Sequence, residues 1–304
     1  MDIRIHTVGN HSGFFSMLDT LLSTLAASER DGIPTYVDWS GATNYLDEPG
    51  NLFDEFFEQP YGLTKEDVAS GRIVETVAGS VPYWERDHAG TSWYALDGER
   101  VRTAARLVEK YLVVKPGVLA EVETFAREKF SPRTLGVHLR GTDMRHPKYH
   151  RHQPTPLLSS YRKAFRREAA RGGYTRVFCA SDDQRMLGAF LESVRGAGLE
   201  AVTYASRRSG SHVPLHADAG EAGSKLALAK EALVECLLLS RCAYLIKSHS
   251  NVSNFSVFFR PSLPFFDLHS FAVERMRAFA LTSFQTAYMR AGRFARALGV
   301  LKNA

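Results

Sequence analysis

Residues 136–143 read Gly-Val-His-Leu-Arg-Gly-Thr-Asp, and the fold turns on what this octapeptide ends and what it begins. A run over 134–139 predicts a strand, and a basic loop follows it at once. On an extended chain His138 and Arg140, two residues apart, leave on the same face. A guanidinium held at a strand end is a planar fork of donors that stays charged at any working pH, which suits it to the oxygens of a phosphate.

Downstream of the octapeptide, strand and helix signals alternate regularly, the pattern of a parallel sheet with helical crossovers. A helix is expected over 157–171 and a strand over 176–180, ending in Ser181-Asp182-Asp183. A helix over 186–197, a short strand over 201–205, a polar loop over 206–223 and a helix over 225–240 come next. In that last helix Leu226, Ala229, Leu233, Cys236 and Leu237 recur at three- and four-residue steps. A strand over 242–246 leads to Lys247-Ser248-His249-Ser250-Asn251-Val252-Ser253-Asn254, with a helix expected from about Asn254. Ligands of open parallel sheets sit beyond the carboxyl ends of the strands, and three polar motifs fall there.

Upstream the pattern is looser. A strand over 3–8 turns through Gly9-Asn10-His11-Ser12-Gly13 into a helix near Phe14 whose apolar positions include Met17, Leu21, Leu22 and Leu25. A strand over 34–38 precedes residues 40–64, where turn signals such as Pro49-Gly50-Asn51 and Gln59-Pro60 suggest a substrate loop. Helices over 100–111 and 117–129 close this block, and Phe130-Ser131-Pro132 marks a linker. The division expected is 1–130, 131–270, and a C-terminal helix over 271–304 returning to the first block.

Charge sorts the ligands. Residues 1–100 hold 17 acidic side chains against 6 basic ones, a balance of −11 in a chain whose total is +5, so the remaining 204 residues carry +16. An anionic ligand therefore belongs in the second half. A nucleic-acid binder is disfavoured because its first hundred residues would repel the same polyanion. The opening Met-Asp-Ile-Arg-Ile-His has no leader pattern, and no run approaches the roughly 18 apolar residues of a spanning helix, which together predict a cytoplasmic protein. Cys179, Cys236 and Cys242, odd in number and in apolar surroundings, are expected to be reduced core residues.

Each strand-end motif has a chemistry. Asp182 is placed to accept the N1–H and exocyclic amine of a guanine, or else to cap the next helix, a role open to Ser181 and Asp183 too. Ser250, Asn251 and Ser253 offer hydroxyls and backbone N–H groups at a helix start, a cradle for phosphate or a plain cap. His146, His150 and His152 lack a Cys or carboxylate at ligand spacing and read as part of a basic lid rather than a metal site.

The pattern His-x-Arg-x-Thr-Asp, a strand ending Ala-Ser-Asp-Asp and a Ser-rich loop after the last strand resembles the three shared motifs of the fucosyltransferase superfamily. That superfamily includes the nodulation-factor and core α1,6-fucosyltransferases and the protein O-fucosyltransferases. The likeness is specific over 134–260; before residue 130 it is confined to the glycine turn after the first strand. It implies an α/β, GT-B-like fold in which two Rossmann-like domains turn parallel sheets toward a cleft and the C-terminal one holds a GDP-sugar. It further implies that Arg140 holds the pyrophosphate, that His138 and Asp182 read the guanine and ribose, and that Ser250 touches a phosphate. Where the most similar α1,6-enzymes carry a second Arg and a later acidic residue, this chain has Gly141 and Lys148.

The expected activity is transfer of a sugar, fucose favoured, from a GDP-sugar to a glycan or glycoside. Arg140 would stabilise the leaving group, and Asp143, Asp38 and Glu48 are the candidates for the base. The chain has no Asp-x-Asp, so inverting displacement without metal or cofactor is expected. A different nucleotide-sugar donor is the first alternative. The second is a basic module without enzymatic activity that binds nucleic acid or anionic membrane; the arginine-rich tail over 272–301 could pack on the first block or lie on lipid, giving peripheral membrane contact.

Overall fold

Two parallel sheets carry the described part of the chain. The computed structural model describes residues 1–9, 13–78, 96–142, 156–211, 215, 224–271 and 276. In the first sheet, β1 (Asp2–Thr7) is followed by helix α1 (Phe14–Asp31) and β2 (Thr35–Asp38). Short helices α2 (Leu52–Phe56) and α3 (Lys65–Ser70) precede β3 (Arg72–Ala78), and the strand order is β2-β1-β3. Helices α4 (Gly98–Tyr111) and α5 (Pro116–Lys129) then lead into the second sheet.

Among the described residues strand and helix alternate along that sheet: β4 (Thr134–Leu139), α6 (Leu158–Gly172), β5 (Arg176–Ser181), α7 (Gln184–Gly196), β6 (Glu200–Val202), α8 (Lys225–Ser240), β7 (Tyr244–Lys247), α9 (Asn251–Phe259) and β8 (Phe265–Asp267). Its order is β6-β5-β4-β7-β8, and every ladder is parallel. Parallel strands are covered on both faces, so both parities must be apolar. Leu135, Val137, Leu139, Val177 and Cys179 face one core with α6 and α7, while Phe178 and Ala180 face the other with α8. All three cysteines are buried and free.

Local chemistry sets the ends of the elements. Helix α1 stops at Gly32, whose φ of 67° is the left-handed turn that glycine adopts without a Cβ penalty, and its N–H bonds to the carbonyl of Ser28. Asp97 caps α4 through the N–H groups of Glu99 and Arg100, and Pro116 starts α5 where a missing N–H costs nothing.

The larger core does not stop between the sheets. It runs from α1 and α2 through α4 and α5 to α8 and α9, with the rings of Phe15 and Phe255 centred 5.3 Å apart. Residues 40–64, expected to be a loop-rich substrate segment, contribute to it: Tyr45, Phe53, Phe56 and Phe57 are all buried. Each such aromatic contributes roughly 2 to 3 kcal/mol by leaving water. Asn51 makes this possible by capping α2 while bonding to the backbone of Val37 and Trp39.

Other boundaries moved for similar reasons. β3 and β8 escaped the sequence reading because β3 is exposed along almost its whole length and β8 is three residues long, so neither shows a clean apolar period. The short strand expected over 201–205 is Glu200–Val202, since Arg208 turns the chain by donating to the carbonyls of Tyr204 and Ser206. β7 begins at Tyr244 because Cys242 still belongs to the turn that ends α8, its N–H bonding to Leu239. α9 begins at Asn251, three residues earlier than expected, with Ser250 in the cap position. Apart from Met276, the tail over 272–301 lies outside the described residues.

Candidate functional site

The carboxyl ends of β4, β5, β7 and β8 bring together the polar motifs of the second half. Arg140 follows β4 directly, and its Nη1 donates to Asp182 Oδ2 at 2.7 Å. The same carboxylate accepts from the backbone N–H of Gly141 at 2.8 Å and from the hydroxyl of Thr142 at 2.8 Å. Behind the loop, the N–H of Arg140 donates to the hydroxyl of Tyr161, 3.2 Å away on α6. Asp182 thus ties the loop after β4 to the end of β5 with three hydrogen bonds.

The two adjacent aspartates have separate tasks. Asp183 is the cap of α7, accepting from the N–H of Met186 at 2.8 Å, which leaves Asp182 free of that role. Gly141 packs so closely that a Cβ there would lie 2.5 Å from the Cβ of Asp183. A second arginine at this position would therefore require the β4 and β5 loops to separate.

His138 stands on β4, 4% exposed, and among the described residues its Nδ1 has no partner. Burial holds its pKa down to about 3, against the pull of Asp182 and with Arg140 and Lys247 adding to the fall. It is a neutral imidazole at physiological pH and can exchange hydrogen bonds but offers no charge.

At the end of β7, Ser250 caps α9 with its backbone and makes no side-chain cap bond. Its buried hydroxyl and the first N–H groups of α9, Asn251 included, form the kind of helix start that favours an anion. Ser253 differs from the expected role: its hydroxyl donates to the carbonyls of Ser248 and Ser250 at 3.0 and 3.1 Å, and the residue is fully buried. It braces the cradle rather than lining it.

Beside this cradle, fully buried Lys247 donates to Asp267 Oδ2 at 3.0 Å. His249 and His269 stack, ring centroids 3.8 Å apart and 15° from parallel, each with a ring nitrogen 3.3 Å from an oxygen of Asp267. These three side chains offer ligand atoms within 4.8 Å of one another. The ammonium of Lys247 already supplies the positive charge at that carboxylate, however, and stacked rings aim their lone pairs in parallel rather than at one point. The cluster is built as a hydrogen-bonded brace.

The candidate bases are dispersed. Asp38 ends β2 and accepts from the N–H of Ser40 at 3.0 Å, Glu48 is exposed, and Asp143 lies outside the described residues. The histidines over 146–152 and much of the polar loop over 206–223 lie outside them as well. The part of that loop next to Asp182 is anchored. Ser209 donates its N–H to the carbonyl of Asp182 at 2.9 Å, and Arg208 pairs with Glu235 at 3.4 Å. Burial pushes the carboxyl of Glu235 up to about 7.

Sequence reading missed Tyr161, Thr142, Lys247 and Asp267. Tyr161 stood on an ordinary apolar helix face and Lys247 at a strand end, where either is unremarked until its partner is known. The partner of Lys247 comes from the unnoticed β8. The first half also reaches the site: the buried hydroxyl of Tyr45 accepts from the N–H of Phe14 at 3.0 Å and lies close enough to Arg140 to feel its charge.

No protein-family model and no curated protein sequence matches this chain. Solved structures do resemble it. NodZ α-1,6-fucosyltransferase co-crystallised with GDP is similar over 86% of this chain and 92% of its own, at 19% identity and a TM-score of 0.52. POFUT1 in complex with GDP is similar over 87% of this chain and 98% of its own, at 12% identity and a TM-score of 0.51. NodZ soaked with GDP-fucose is similar over 85% and 92%, at 18% identity and a TM-score of 0.51. At such identities the likeness is one of fold, and the fold is the α/β, GT-B-like one of these fucosyltransferase structures. Among the described residues no helix is long and apolar enough to cross a membrane.

Proposed function

We propose that this chain is a glycosyltransferase that moves a sugar from a GDP-sugar, GDP-fucose favoured, to a glycan or glycoside. The observation that carries the reading is the meeting of Arg140, Asp182 and the Ser250 helix start along one carboxyl edge of a parallel sheet. The fold adds support, because the solved structures it resembles hold GDP or GDP-fucose.

In this reading the start of α9 and the hydroxyl of Ser250 receive a phosphate, and Arg140 meets the pyrophosphate. Asp182 accepts from the guanine edge, and neutral His138 exchanges hydrogen bonds with the base or ribose. As the bond from the anomeric carbon to the β-phosphate oxygen breaks, negative charge builds on that phosphate. A guanidinium already in place stabilises it more in the transition state than in the ground state. The acceptor hydroxyl attacks from the opposite face, forming the new C–O bond with inversion while its proton passes to a carboxylate, with Asp38, Glu48 and Asp143 as the candidates.

The acceptor then sits against the first half. Glu29 there is engaged by Arg106 and Lys110, which lie beyond residue 100 and offset part of the −11 balance, so the face suits a neutral glycan. Thermal shift across GDP, UDP and ADP tests the donor: GDP should raise the melting temperature most, and equal shifts would remove the guanine assignment. Turnover of a GDP-sugar should survive EDTA and yield inverted product; recovery of activity only on adding Mn²⁺ or Mg²⁺, or a retained anomeric configuration, would refute the mechanism.

A further inference from the structure

The carboxylate assigned to guanine is already occupied, and by the residue assigned to phosphate. Asp182 Oδ2 holds Arg140 and Thr142, and Oδ1 holds the Gly141 N–H. A carboxylate offers about four lone-pair positions, so three are taken. It cannot accept two further hydrogen bonds from a base edge while keeping all its present partners. The pair is accessible enough to exchange, Arg140 being 26% and Asp182 18% exposed, unlike a sealed interior pair.

We propose that Asp182 is an internal competitor for Arg140 and thereby makes the site respond to two features on one molecule. This rests on the GDP reading above. An anion alone must draw the guanidinium from a carboxylate and leave that carboxylate short of a partner. A base edge with two parallel N–H donors alone must draw Asp182 from the guanidinium and forfeit that ion pair. A ligand carrying both exchanges one ion pair for two compensated contacts: phosphate takes Arg140 and the N–H pair takes Asp182. Selectivity for a guanine nucleotide then arises from the ion pair itself, because adenine and uracil present no such donor pair to replace Arg140. Thr142 and the Gly141 N–H, tied to the same carboxylate, carry the change into the loop after β4.

Linkage gives a test on the unaltered protein: two ligands that each favour the open pair must tighten one another's binding equally. Inorganic pyrophosphate is titrated calorimetrically with and without saturating guanosine. Guanosine should tighten pyrophosphate about fivefold or more, within the usual range of coupling between sites, while uridine should not. Independent binding of the two overturns the proposal. In Asp182→Asn, which keeps an acceptor for the Gly141 N–H, pyrophosphate alone should bind about tenfold tighter than in the wild type, the size of effect that one removed charge partner produces, and the guanosine effect should vanish. Weaker pyrophosphate binding in this variant would make Asp182 a fixed brace for Arg140 and sink the competitor idea. A wild type that binds GDP no better than UDP, yet whose pyrophosphate affinity rises in Asp182→Asn, would remove the guanine reading and leave the competition standing.

Discussion

Two cation–carboxylate pairs stand along the same edge of the second sheet, and they are built for opposite ends. Arg140 and Asp182 are both partly exposed, joined through one loop, and neither belongs to a regular element. Lys247 is fully buried, and Asp267 is held by it, by the backbone N–H of His269 and by the two stacked imidazoles. Burial works against the charge on Asp267, yet Lys247 and the histidines keep its carboxyl far below the ordinary range. Burial also lowers the pKa of Lys247, with Asp267 opposing the fall. The two carboxylates are about equally exposed, so the cation makes the difference: Arg140 is open to exchange, whereas Lys247 is sealed and serves as support.

The contrast breaks most visibly at Arg140. Arg140→Lys should lower kcat by about 10³-fold, because an ammonium cannot reproduce a two-pronged contact with the leaving phosphate. The melting temperature should stay close to that of the wild type. Undiminished turnover would take Arg140 out of the chemistry.

Lys247→Met should do the reverse. Removing one member of a buried pair leaves an uncompensated charge and costs about 3 kcal/mol of stability, read as a lower urea midpoint. Unchanged stability would mean that the histidines take over the charge and that the brace is redundant.

Acid sharpens the distinction further. His6, His138 and His249 are held down to about 3, 3 and 4, each mainly by burial, so they fold as neutral rings. Their folded pKa values lie below the unfolded one, so their contribution is complete above about pH 6.5 and is lost as pH falls toward 4 and then 3. The slope is about 1.4 kcal/mol per pH unit for each ring. Urea midpoints between pH 7.5 and 5 should show it, and His249→Asn should make the slope shallower. An unaltered slope would place His249 outside the buried brace.

The smallest effect belongs to Asp182→Asn, whose partly exposed pair should change stability by no more than about 1 kcal/mol. A loss as large as that of Lys247→Met would erase the difference between the two pairs.

The unequal legibility of the two halves has the same root. From 134 onward, buried strands with apolar residues on both faces alternate with helices, and composition alone locates β4, β5, α8 and their polar ends. Among the described residues of the first half the sheet has three strands, and β3 is exposed nearly throughout, so its residues carry no burial signal. The turn residues of 40–64 predict a substrate loop, although Phe53, Phe56 and Phe57 lie between them. Asn51 is what folds that segment inward, and its bonds to Val37 and Trp39 join residues 14 and 12 positions away.

By itself the sequence determined the parallel order of helix and strand, the placement of Arg140, Asp182 and Ser250 at strand ends, and the reduced, buried cysteines, because each follows from local period and composition. Which aspartate caps α7 and which holds Arg140, that the hydroxyl of Ser253 turns inward, and that β8 brings Asp267 to Lys247 were decided only by tertiary structure. The physical reason is that a carboxylate or hydroxyl takes whatever donor or acceptor the packing brings within about 3 Å, and between Arg140 and Asp182 that partner lies 42 residues away.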